Sequence, residues 1–81
     1  MENEDQVGRE MTFGEQAVGL KFNPGGDPAV AECKAEFAKV IDRMHALRVA
    51  TLSMEVARMA SVAITEAQTA QMWAVKALTW T

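Results

Sequence analysis

The chain carries one histidine, His45, and one cysteine, Cys33, the residue types from which a nucleophilic centre would be built. A thiol and an imidazole act together only within hydrogen-bond reach of each other. These two stand twelve positions apart, on different faces of what reads as one helix. The ordinary assignment is a partly exposed histidine near a helix C-terminus and a buried structural thiol. Metal chemistry lacks its spacing as well, since no CxxC, HxxxH or EF-hand pattern occurs. Glu32 and Glu36 form an i, i+4 carboxylate pair, which without a metal or a pocket describes a solvated helix edge rather than an acid/base couple. The expectation is a protein without enzymatic activity, catalytic residues, metal or cofactor.

What remains is a loop. The stretch "KFNPGGDPAVAECK", residues 21 to 34, places two glycines before Asp27 and Pro28 at the start of a helix. Unpaired backbone N–H groups and the positive end of the helix dipole make such a junction an anion site. On pattern alone "NPGGDP" serves equally as a reversal between two helices, and the plain turn is the stronger reading. Asp27, as N-cap, sets a carboxylate where an anion would go; Lys34, about two turns on, and Lys21 could offset it. An aromatic near a phosphate loop suits a nucleotide, because stacking on a base is worth about 1 to 3 kcal/mol. Phe13 offers that face, or else is a helix staple against Val18 or Leu20. Of the six methionines, Met44, Met54, Met59 and Met72 sit at helical spacing among alanines as gap-fillers, and Met11 stands outside the long helices.

These residues are positioned by an all-α chain. "TFGE" at Thr12 forms a capping box that opens a short helix through "GEQAVGL". A second helix is expected at about 28 to 47, with Val30, Cys33, Phe37, Val40, Ile41, Met44 and Leu47 in one stripe and Lys34, Asp42 and Arg43 to the sides. Thr51 and Ser53 offer caps at a corner that Val49 and Leu52 would hold by packing. A third helix, about 53 to 80, carries one stripe through Val56, Ala60, Ala67, Trp73 and Ala77 and another through Val62, Ile64, Met72, Val75 and Leu78. At 1.5 Å per residue it spans roughly 40 Å against roughly 30 Å for its partner, and should overhang it. Residues 1–8 are acidic and without period, a flexible tail.

An αα-hairpin has no enclosed core, so the second apolar face needs a partner, most simply a homo-oligomer. The chain is 8.8 kDa, and a chain of this size buries only about 63% of its surface by folding alone. Fourteen alanines and no tyrosine make the apolar surface one of small side chains that let helices approach closely. A net charge of −3 argues against wrapping duplex nucleic acid, though not against one or two phosphates. No apolar run approaches the ~20 residues that span a bilayer, and no secretory leader is apparent, so a cytoplasmic location is expected.

"TFGEQAVGLKFNPGGDPAVAECK", a helical hairpin and a terminal "AQMWAVKALTW" together resemble the phage-encoded anti-CBASS sponge family, over about residues 9 to 80. The pair "GLxFNPxG" and "MWAVKA" at this spacing carries the resemblance. The hairpin is also similar to the helical part of the anti-Thoeris sponges that capture cyclic ADP-ribose signals, whose additional β domain finds no room here. The resemblance implies that residues 9–81 are a single cyclic-nucleotide-binding domain. It implies a homohexamer of interlocked hairpins, acting in the cytoplasm of the infected bacterial host. Cyclic dinucleotides such as 3',3'-cyclic GMP-AMP would bind without cleavage in pockets shared between protomers, and some relatives take cyclic trinucleotides at separate three-fold sites. Phe13, followed by Gly14, looks like the base-stacking position, where tyrosine is common. Asn23, Pro24, Gly25 and Gly26 match "FNPxG", with Gly25 where serine is frequent, and Lys34 and Lys76 would contact phosphate. The rival readings are a helical interaction module for a protein or RNA, which the acidic balance disfavours for RNA, a sponge for cyclic ADP-ribose signals, and a cyclic-nucleotide hydrolase, which lacks a nucleophile or metal site.

Overall fold

The computed structural model of the chain describes residues 9–81, and the tail expected at residues 1–8 lies outside them. The described residues form three helices and no strand: α1, Phe13–Ala17; α2, Pro28–Ala50; and α3, Met54–Leu78.

Local chemistry explains each boundary. Thr12 Oγ1 accepts from the Glu15 N–H at 3.0 Å while the Glu15 carboxylate accepts from the Thr12 N–H at 2.9 Å, completing the capping box. The helix stops at Ala17, shorter than expected, and Gly19 at φ 63 turns the chain through a conformation that a side chain would strain. α2 begins on Asp27, whose carboxylate accepts from the Ala29 N–H at 2.9 Å, with Pro28 at its first position. The corner into α3 needs neither glycine nor proline. Thr51 Oγ1 accepts from the Ser53 N–H and Ser53 Oγ from the Val56 N–H, each at 3.1 Å. These hydroxyls, together with the Thr51 N–H donating to Leu47 O at 2.9 Å, make the turn, and Val49 and Leu52, expected to pack there, stand exposed.

α2 also runs on to Ala50, so α2 and α3 have 23 and 25 residues. The expected overhang shrinks to about 3 Å. α2 lies between α1 and α3 and buries Val30, Lys34, Ala38 and Ile41 toward them. Across the hairpin α3 buries Ala60, Ile64 and Gln71. This seam differs from the expected stripe: Val40 and Leu47 are exposed, while Lys34 and Gln71 are taken in. The reason is positional. A middle helix in one layer buries the residues that face its two neighbours, whatever their polarity, and leaves out those that point from the layer.

The core is small: Val18, Ala38, Ile41 and Ile64, with Leu20, Phe37, Met44 and Ala67 packed against it. The molecule measures 41 × 35 × 13 Å, and its thickness is close to the ~10–12 Å of one helix with side chains. Both broad faces are therefore open, with Met54, Met72, Trp73 and Trp80 among the large apolar side chains left exposed.

α1 is held to α2 at Gly14. Its N–H donates to Asp42 Oδ1 at 2.7 Å, and a Cβ there would stand 2.2 Å from the Ala38 carbonyl oxygen. We predict that Gly14→Ala lowers the thermal midpoint by about 10 °C, as overpacking of roughly 2 kcal/mol does in a domain of this size. An unchanged midpoint would show that α1 does not dock this closely. The Arg9 guanidinium, and then the Thr12 N–H, hold the Glu15 carboxyl below its ordinary value near 4.5. A folded-state value below the unfolded one contributes stability that is present above about pH 4.5 and lost as pH falls through the folded value. A carboxyl NMR titration of Glu15 with a midpoint at or above 4.5 would contradict this.

Candidate functional site

Between α1 and α2 the chain reverses twice. The Phe22 N–H donates to Gly19 O and the Gly26 N–H to Asn23 O, both at 2.9 Å. The Asn23 side-chain amide donates to Asp27 O at 3.0 Å, joining the second reversal to the start of α2. Gly26 sits at φ 65 and needs to be glycine, whereas Gly25 has a negative φ and open space where a Cβ would stand. Position 25 thus has room for a side chain.

Lys34 fastens this loop from beneath. Sequence spacing sets it beside the apolar stripe and the resemblance implies a phosphate contact, but it is only 5% exposed. Its Nζ donates to Gly19 O at 3.0 Å and to Phe22 O, and lies 5.5 Å from the Phe22 ring centroid. Among the described residues no carboxylate pairs with it. Carbonyl dipoles and a ring face carry the stabilisation of a buried ammonium that an ion pair otherwise supplies. Phe22, Asn23, Pro24, Gly25, Asp27 and Lys34 meet Val30, Val75 and Thr79 around a cavity of about 320 Å³. The loop therefore shares its site with the last turn of α3.

Phe13 lies elsewhere. Its ring stacks on His45 with centroids 4.3 Å apart and planes 12° from parallel, and the Arg48 guanidinium carbon is 5.1 Å from the Phe13 centroid. Arg48 Nε donates to His45 Nδ1 at 3.2 Å and Arg48 Nη1 to Ser61 Oγ at 3.1 Å. His45 is eleven residues beyond Lys34, roughly 16 Å along the axis of α2. One chain does not bring Phe13 and the loop into one cavity. Gly14, next to Phe13, is buried with its N–H committed to Asp42.

Lys76 forms a third group. Its Nζ lies 5.2 Å from the Trp73 centroid and 5.9 Å from that of Trp80, and the three line an open concavity with Ala77. Trp73 is expected inward but is 65% exposed. Among the described residues no group of three His, Cys, Asp or Glu is placed to hold a metal, and no helix is long and apolar enough to cross a membrane.

Residues 15–79 match the Acb2/Tad1 hairpin domain. The chain belongs to that family. This is the anti-CBASS and anti-Thoeris sponge family, whose hairpin domain is a binding domain known for cyclic oligonucleotide signals. The match takes in the loop, Lys34 and Lys76 and begins two residues after Phe13. No curated protein and no solved structure matches the chain.

Within this hairpin domain, sequence reasoning missed the partners of Phe13. His45 and Arg48 stand at i, i+3, a spacing that brings side chains together on a helix. Nothing local indicates that Phe13 and Ser61, from other helices, would join them. Lys76 likewise follows Trp73 by three residues, a readable pair, but Phe22 over Lys34 depends on the fold of the loop.

The loop tie generates a test. Lys34→Met keeps the length of the side chain and removes its donors. Hydrogen bonds from a charged group contribute about 1.5–3 kcal/mol, so the variant should lose stability on that scale and its amides at residues 19–26 should exchange faster with solvent. Unaltered exchange there would leave Lys34 no part in shaping the loop.

Proposed function

We propose that this protein is a phage anti-defence sponge that binds cyclic oligonucleotide messengers without cleaving them and so blocks activation of the CBASS effector. Cyclic dinucleotides such as 3',3'-cyclic GMP-AMP are the first ligands, with cyclic trinucleotides at a separate site. The observation that carries the reading is the family match over residues 15–79, which includes the loop and Lys76. Phe13 is the base-stacking face, held in place by Gly14 behind it. Asn23, Pro24, Gly25, Gly26 and Lys34 form the loop site, and Lys76 faces phosphate. A sponge competes by affinity, and a loop already tied by Lys34 spares the ordering cost that binding otherwise carries.

The geometry supports a pocket shared between protomers. A cavity of about 320 Å³ is small for a ligand site, which ordinarily holds ~300–1,000 Å³. Phe13 lies too far along α2 to complete it from within the same chain. The open faces of the single layer, with Trp73 and Trp80 exposed, support closed assembly, which we assign as a homohexamer in the host cytoplasm.

Calorimetry with 3',3'-cyclic GMP-AMP, followed by heating to recover the ligand, tests the reading. Saturable binding and release of intact nucleotide are expected. A linear product would require an enzyme, and the absence of heat at micromolar protein would remove the dinucleotide reading. Light scattering should give about six times the 8.8 kDa of the chain. Phe13→Ala should weaken binding by at least about tenfold, the scale of one lost stacking contact, without changing the assembly.

A further inference from the structure

Phe13 is 38% exposed, and two side chains of α2, His45 and Arg48, lie against its ring, the second of them tied to Ser61 of α3. The His45 ring lies over Phe13 nearly parallel to it. A donor approaches an imidazole nitrogen near the plane of the ring, so the Arg48 Nε–H that reaches Nδ1 sets the guanidinium in the same layer as the imidazole. His45 and Arg48 thus both lie against the Phe13 ring, which keeps 38% of its surface exposed. Ser61 Oγ accepts from the far end of the guanidinium and anchors it to α3.

This arrangement dictates the protonation of His45. An arginine Nε–H is always a donor and never gives up its proton in a protein, so Nδ1 must present a lone pair and the ring proton must sit on Nε2. Taking up a second proton turns the contact into donor against donor and cation against cation at hydrogen-bond distance. Cation–π attraction to Phe13 does not offset that repulsion, because an exposed cation–π contact is the weaker of the two. The carboxylates of Asp42 and Glu15, which could otherwise favour a charged ring, already have partners. On α2, Asp42 accepts from the Gly14 N–H; on α1, Glu15 is bound to Arg9 and Thr12; α3 contributes the neutral Ser61.

We propose that His45, in its neutral form protonated on Nε2, is the positioning residue of Phe13, and that acid releases Arg48 and unsettles the ring that stacks on the base. This inference rests on the reading of Phe13 as the stacking face. It adds a pH dependence to capture: the pocket holds its messenger at neutral pH and weakens on acidification, when a proton on Nδ1 would displace the Arg48 donor. The chain has a single histidine, so no second imidazole confounds the effect.

The experiment has two parts. On the unliganded protein, nitrogen-15 NMR of the imidazole should show a bare Nδ1 at about pH 7.5, and the stacking shift on the Phe13 ring protons should diminish at about pH 5.5. A proton on Nδ1 at the higher pH, or a Phe13 shift indifferent to pH, overturns the inference whether or not any ligand binds. Calorimetry with 3',3'-cyclic GMP-AMP should then show affinity about tenfold lower at the acidic pH. His45→Phe, which can stack but cannot charge, should give the same affinity at both. Equal pH dependence in that variant overturns the inference. Absence of binding at either pH, with the NMR result as expected, defeats the sponge reading and leaves the support of Phe13 by His45 standing.

Discussion

The Gly14 N–H meets the Asp42 carboxylate at a point where a Cβ would collide with the Ala38 carbonyl, and the rest of the N-terminal half hangs on that approach. Because α1 lies so close, Val18 reaches the core beside Ala38 and Ile41, and Phe13 reaches His45. The capping box fixes where α1 begins, and Gly14 fixes where it lies. A helix of five residues has no stability of its own in water, so its geometry is borrowed from α2.

A single layer of helices sets the second constraint. With α2 between its neighbours, the chain buries two edges of one helix and leaves both broad faces to solvent. Alanines at 38, 60 and 67 let the helices approach, but they bury little apolar area each. The large side chains, Met72, Trp73 and Trp80 among them, are on the outside instead. A fold built in this manner is half of an interface before any partner is considered.

Charge placement links the fold to binding. Lys34 brings a positive charge beneath the loop and uses it on two carbonyls, which shapes the backbone while leaving a positive field below the cavity. Asp27 caps α2 and occupies the Ala29 N–H, so the helix terminus is not an open anion site in this state. Lys34 and the Ala29 N–H at the start of α2 are thus engaged within the chain itself.

Much of this was legible in the residue string. Thr12 with Glu15, Asp27 with Pro28, and Thr51 with Ser53 act over four residues or fewer, and spacing alone identifies them. The hairpin, the helix types and the family resemblance followed from short-range pattern as well. What the string left undetermined were the contacts between elements. Lys34 read as a flanking cation and became a buried loop tie; Val40, Leu47 and Trp73 read as inward and stand exposed; Phe13 read as a neighbour of the loop and is a long way along α2 from it. Periodicity specifies that a helix has an apolar face, but which residues are buried depends on where the neighbouring helices lie. That was decided by the missing Cβ at Gly14 and by α2 being the middle of one layer, facts that exist only once the chain is folded.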